Sequence, residues 1–108
     1  MKLDQARRYA LSLPETVEQP HFDYASFRVG GKIFATAPPD GGYLHVFVGE
    51  EQRERALALA PGSTEKLFWG KRVVGLRIAL KDAKPAFVQG LLSQAWREKA
   101  PKWLQARV

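Results

Sequence analysis

Ala25-Ser26-Phe27-Arg28-Val29-Gly30-Gly31-Lys32-Ile33-Phe34-Ala35-Thr36-Ala37 is the stretch that decides the fold. Two short apolar runs rich in β-branched and aromatic residues flank a glycine pair. Two consecutive glycines supply the positive φ that a tight two-residue hairpin turn demands, so the segment reads as strand, turn, strand. Ala25 to Val29 is the outgoing strand and Lys32 to Ala37 the return. Pro38-Pro39-Asp40-Gly41-Gly42 makes a second turn, and Tyr43 to Val48 a third strand.

Outward from this meander the period changes. Before it, Leu3, Ala6, Ala10 and Leu13 fall on one helical stripe with Arg7 and Arg8 turned away, and Pro14 stops the helix. Glu15 to Asp23 reads as an irregular acidic connection. After the meander, a helix runs from Gly49 or Glu50 to about Ala60, with Glu50 and Glu51 at its positive end and Glu51 four residues before Arg55. Pro61-Gly62 closes it. Glu65 to Phe68 reads as a short strand and Arg72 to Leu80 as a clearer one, with Val74, Leu76, Ile78 and Leu80 on one face. Asp82 is placed as the N-cap of the last long helix, with Pro85 in its first turn. Phe87, Val88, Leu91, Leu92, Ala95 and Trp96 form its core stripe, and Pro101 ends it. No repeat or linker interrupts this order, so residues 1–108 read as one α+β domain.

Composition limits the chemistry. The chain has no cysteine, which removes disulfides, thiolate metal sites and thiol nucleophiles, and which suits a cytoplasmic protein. The N-terminus lacks the apolar run of a signal peptide, and no stretch is long enough to span a bilayer, so no membrane role is expected. The only histidines are His21 and His45. His21 with Asp23 supplies two ligands where a transition metal needs three or four, so no metal site and no cofactor is expected. His45 alternates with Leu44 and Val46, which puts it on the solvent side of its strand. No serine sits in a nucleophile elbow, and the glycine pairs join strands instead of leading into a helix, so no catalytic residue is assigned. A deep pocket gathering His21, Asp23 and a buried arginine would point to an enzyme instead.

Charge is the more informative signal. Seventeen basic against eleven acidic residues give a net charge of +6. The run from Lys66 to Lys81 contains Lys66, Lys71, Arg72, Arg77 and Lys81 with no acid, and Trp69 lies within it. Alternation turns Arg77 and Arg28 away from the core, and Lys32 starts the strand beside Arg28. Lys99 and Lys102 add charge at the C-terminal turn. Arg28, Lys32, Lys66, Trp69, Lys71, Arg72, Arg77 and Lys81 are therefore the candidate nucleic-acid contacts. Five cations on phosphates would give a log–log salt slope of about −4.5. The plainer alternatives are that such cations keep strands soluble and that Trp69 packs in the core, the commoner fate of a tryptophan. A further alternative uses the sheet face left free of helices for a protein or small ligand. Tyr43, His45 and Phe47 share that face if Leu44, Val46 and Val48 point to the core.

Leu13-Pro14-Glu15-Thr16, Pro20-His21-Phe22-Asp23, Ser26-Phe27-Arg28-Val29, Gly31-Lys32-Ile33-Phe34-Ala35, Trp69-Gly70, Ala95-Trp96-Arg97 and Lys99-Ala100-Pro101-Lys102 occur in an order that resembles the MmcQ/YjbR family. The resemblance spans about residues 3 to 104. It implies a CyaY-like fold, an antiparallel sheet with the N- and C-terminal helices packed on one face. Members are commonly described as DNA-binding; with the acid-free basic run through Arg77, joined by Arg28 and Lys32, this gives the expectation of a non-enzymatic DNA-binding module of low sequence specificity, and a monomer is expected. The frataxin side of the same fold binds iron through an acidic first helix. Here that helix sets Asp4 alone against Arg7 and Arg8, which does not fit iron donation.

Overall fold

A computed structural model describes residues 1–106. Its elements are α1 (Leu3–Ser12), β1 (Val17–His21), β2 (Tyr24–Val29), β3 (Lys32–Ala37), β4 (Tyr43–Val46), α2 (Glu50–Leu59), β5 (Thr64–Trp69), β6 (Arg72–Ala79), a 3₁₀ turn (Leu80–Asp82), α3 (Pro85–Lys99) and α4 (Lys102–Gln105). The six strands form one sheet in the order β1-β2-β3-β4-β6-β5, antiparallel throughout. The architecture is α+β, with the terminal helices on the core side of the sheet.

The meander folds as its pattern requires. Gly30 and Gly31 take φ of 57° and 79°, and the hairpin pairs Val29 with Lys32. The register then skips Phe34 between the Arg28–Ile33 and Phe27–Ala35 pairs. This bulge lets Phe34 and Ala35 both reach the core, where each is fully buried. The hairpin tip is seated on the C-terminal region, since a side chain at Gly30 would meet the Pro101 ring at 3.1 Å.

The core lies between this sheet face and the helices. Phe27, Val29, Phe34, Leu44, Val46, Leu76 and Ile78 from the strands meet Val88, Leu92, Ala95 and Trp96 from α3 and Ala6 and Ala10 from α1. Burying about a dozen large side chains at about 1.5–3 kcal/mol each is the dominant favourable term. Trp96 also satisfies its one donor, giving its indole N–H to the Pro14 carbonyl at 3.0 Å and so tying α3 to the end of α1.

Three local expectations change. Glu15 to Asp23 is not wholly irregular: Val17–His21 pairs with β2 as an edge strand. It is exposed along almost its whole length, so it carries no apolar alternation. Its Pro20 is tolerated because an edge strand can leave one N–H side unpaired. The third strand stops at Val46, two residues early. Asp82 lies in the 3₁₀ turn instead of capping α3, whose N-cap is Lys84 with Pro85 as its first residue. Proline fits there because its missing N–H is one that a helix start leaves unpaired anyway.

Candidate functional site

Antiparallel pairing sets which strand ends meet. The Gly30-Gly31 turn, the end of β4 and the Gly70-Lys71 turn all lie at one end of the sheet. The Phe22-Asp23 turn, the 38–42 loop and Lys81 lie at the other. β4 pairs with β3 at Ala35–Val46 and Thr36–His45, and the Phe47 N–H still donates to the Phe34 carbonyl at 3.0 Å, so β3 and β6 part only beyond Phe47. Right-handed twist raises diagonally opposite corners of a sheet toward the same face. Here those corners are the β1–β2 turn and the β5–β6 hairpin, and both line one groove of about 920 Å³ on the sheet face away from the core.

Tyr24, Thr36, His45 and Phe47 make the groove floor, with Phe22 on one rim, Phe68 and Trp69 on the other, and Arg53 and Arg72 at the open end. The core positions of Leu44, Val46 and Val48 settle the register of β4, so Tyr43, His45 and Phe47 do share the outer face. Trp69 is not in the core. It is 65% exposed and Phe68 53%, and the Phe47 and Trp69 rings meet at 5.9 Å. Phe22 is 91% exposed and holds φ of 58°, a left-handed conformation that a bulky side chain rarely adopts.

His45 also departs from expectation. It points away from the core, yet only 8% of it is exposed, because Tyr24 lies over it at 5.9 Å and Thr36 and Arg77 flank it across the strands. Its Nε2 is enclosed with no hydrogen-bond partner. Burial first, and then the Arg77 charge, hold its pKa below the usual 6.5 despite the opposing pull of Asp40 and Glu65. The imidazole is therefore neutral at neutral pH, offering one donor and one acceptor.

The eight candidate contacts separate. Arg28, Lys32, Lys71 and Arg72 stand at the same end of the sheet as Trp69, and none of these cations has a carboxylate partner among the described residues. Arg28 donates from Nε to Ser26 Oγ at 3.0 Å, which fixes it on the strand without neutralising it. Arg77 lies mid-strand with its guanidinium 3.8 Å above the Tyr43 ring and 3.6 Å from Glu65, so its charge is largely spoken for. Lys66 pairs opposite Leu76 and Lys32 opposite the buried Val29, so both leave the sheet on the helix side, away from the groove. Lys81 sits at the far end. His21, Asp23 and the mostly buried Arg53 all line the groove, but His21 and Asp23 stand at its outer edge. Arg53 pairs with Glu54 at 3.5 Å. Among the described residues no group of three or more His, Asp or Glu side chains could hold a metal ion.

A family model described as YjbR matches residues 11–98, which takes in the whole sheet and nearly all of α3. The chain belongs to the YjbR family. This YjbR domain is also similar in structure to Deinococcus radiodurans protein DR2400, whose crystal structure carries the DUF419 domain. The TM-score is 0.78 at 19% identity, over 94% of this chain and 80% of that one, a likeness of fold alone. No curated protein matches the sequence. In the described residues of this YjbR domain, no helix is long and apolar enough to cross a membrane.

Sequence reasoning missed Phe22, Phe68 and Arg53 as groove residues. One signal was available for Phe68: two adjacent large aromatics in a strand cannot both face the core under strict alternation. Nothing in the sequence marks Phe22 as strained, because its left-handed φ comes from the two-residue turn closing β1 onto β2.

Proposed function

We propose that this protein is a non-enzymatic, cytoplasmic, monomeric module that binds DNA with low sequence specificity, engaging an unpaired strand along the groove. The observation that supports this most directly is the β5–β6 hairpin. It presents exposed Phe68 and Trp69 next to Lys71 and Arg72, two cations without acidic partners among the described residues. Aromatic faces for bases beside cations for phosphates are the two elements of single-strand binding, and a base face is accessible only when the strand is unpaired. Arg28, between buried Phe27 and Val29 and so on the outer face at the same end of the sheet, extends the positive track. Stacking and phosphate contact do not read base edges, which fits low specificity.

The test is an anisotropy titration of a labelled single strand and its matched duplex at two salt concentrations. Three phosphate contacts, from Arg28, Lys71 and Arg72, give a slope of about −2.1 for a single strand, so a fourfold rise in salt weakens binding about 20-fold. The single strand binds more tightly than the duplex. Failure to bind at low salt, or indifference to salt, removes the reading.

A second reading follows from the groove volume, which falls in the range of small-molecule sites, about 300–1,000 Å³. A small planar ligand would then bind without salt dependence. The groove also gathers His21, Asp23 and the mostly buried Arg53, the combination that would point to an enzyme.

A further inference from the structure

The groove floor carries a feature that a simple stacking track does not need. His45 is more than nine-tenths buried, lines the groove and keeps an enclosed Nε2 without a partner. Buried polar atoms are nearly always paired, and an orphan in a groove marks a position that a ligand atom can complete. Thr36, nearly buried and directly across from His45, places a hydroxyl on the same floor. Tyr24, half-buried at the start of β2, partly covers His45, so a ligand reaching Nε2 displaces the Tyr24 ring. Above this floor stands Phe22, held in the solvent by a strained backbone. Strain of this kind persists where the surrounding structure enforces it, and clusters at ligand clamps.

We infer that the floor is a single-base subsite: one unstacked nucleobase enters over His45, its edge hydrogen-bonded by the imidazole and Thr36 and its ring covered from the Phe22 rim, while Trp69 at the opposite corner stacks a neighbouring base. This deepens the single-strand reading and rests on it. A nucleobase suits the site because it is a flat aromatic ring whose edge carries both donors and acceptors, matching a neutral imidazole that offers one of each. The groove is apolar along its walls through Ile33, Phe47, Leu67 and Val73, which favours a ring over a sugar or a phosphate. The phosphates then lie toward the open end, near Arg72.

The experiment follows the side-chain nitrogens of His45 by NMR in the whole protein, where His21 is the only other imidazole. Three probes are added: an eight-residue thymidine strand, an abasic strand of equal length, and thymidine monophosphate. The subsite predicts that the thymidine strand shifts His45 Nε2, and that the abasic strand binds about tenfold more weakly and leaves it unmoved. His45→Phe lowers affinity for the thymidine strand severalfold, short of the abasic level because stacking on Phe68 and Trp69 remains. Should that buried variant fail to fold, Phe22→Ala, which changes an exposed side chain, gives the same loss. If the thymidine strand binds better than the abasic strand while His45 stays silent, the subsite is wrong and the single-strand reading stands; if the abasic strand binds equally well, base stacking plays no part and both are wrong. If only the monophosphate binds and shifts His45, the subsite serves a free nucleotide and the strand reading is wrong. If nothing binds, both fail.

Discussion

Replacing Phe22 by glycine separates what this residue does for the fold from what it does for a ligand. Phe22 holds φ of 58°. For an L residue that conformation costs about 1–2 kcal/mol, and glycine adopts it freely. Against that gain, glycine adds conformational entropy to the unfolded chain, a loss of about 0.5–1 kcal/mol. The ring is 91% exposed and meets the His21 ring edge to face at 4.9 Å. Its removal therefore costs at most about 0.5 kcal/mol. The sum is a stability change of roughly −0.5 to +1.5 kcal/mol, or a Tm change of about −3 to +9 °C. Binding moves the other way: loss of one base-stacking surface is worth about 1–3 kcal/mol, so affinity for a single strand falls about 5- to 150-fold. Phe22→Ala isolates the backbone term, because it loses the same ring while keeping the strain, and it melts below Phe22→Gly. Thermal melts and strand titrations on the three proteins provide the data. A glycine variant destabilised by more than about 1.5 kcal/mol, or one that binds as well as the parent, refutes this division of roles.

Gly75→Ala tests the strand packing beneath the groove. A Cβ there would lie 2.3 Å from the Val46 carbonyl oxygen, a backbone atom that cannot swing aside, so denaturant melts lose about 3 kcal/mol. Glu65→Gln releases Arg77 from its ion pair and raises single-strand affinity severalfold at low salt. Stability changes by under about 0.5 kcal/mol, since both partners are partly exposed. Lowering the pH tests His45. Its folded pKa lies below the unfolded 6.5, so the unfolded chain takes up a proton first. Stability is therefore fully present above 6.5 and falls as pH drops through the window between 6.5 and the folded value, a slope that His45→Gln flattens.

Much of the fold could be read before the structure because the meander and both terminal helices bury one clear face each. Gly30-Gly31 sets a hairpin by backbone chemistry alone, and the stripe from Val88 to Trp96 has no other use than a core. β1 was illegible for the opposite reason. Glu18, Gln19 and Pro20 bury nothing, and the strand exists because β2 offers it a ladder. The site was legible only in part. Cations appear in sequence, but the pairing of Arg77 with Glu65 depends on β5 lying beside β6, which spacing does not reveal. The burial of His45 depends likewise on Tyr24, twenty-one residues away. Trp69 misleads because its hydrophobicity suggests a core that is already filled by Trp96 and the β4–β6 side chains.

Amide chemical-shift mapping during titration with an unlabelled single strand addresses the groove itself. Perturbations should concentrate at Phe22, Ile33, His45, Trp69 and Arg72, which are far apart in sequence and joined only by this surface. Shifts confined to the outer faces of α1 and α2, with the groove residues unchanged at saturation, would place binding elsewhere and contradict the account.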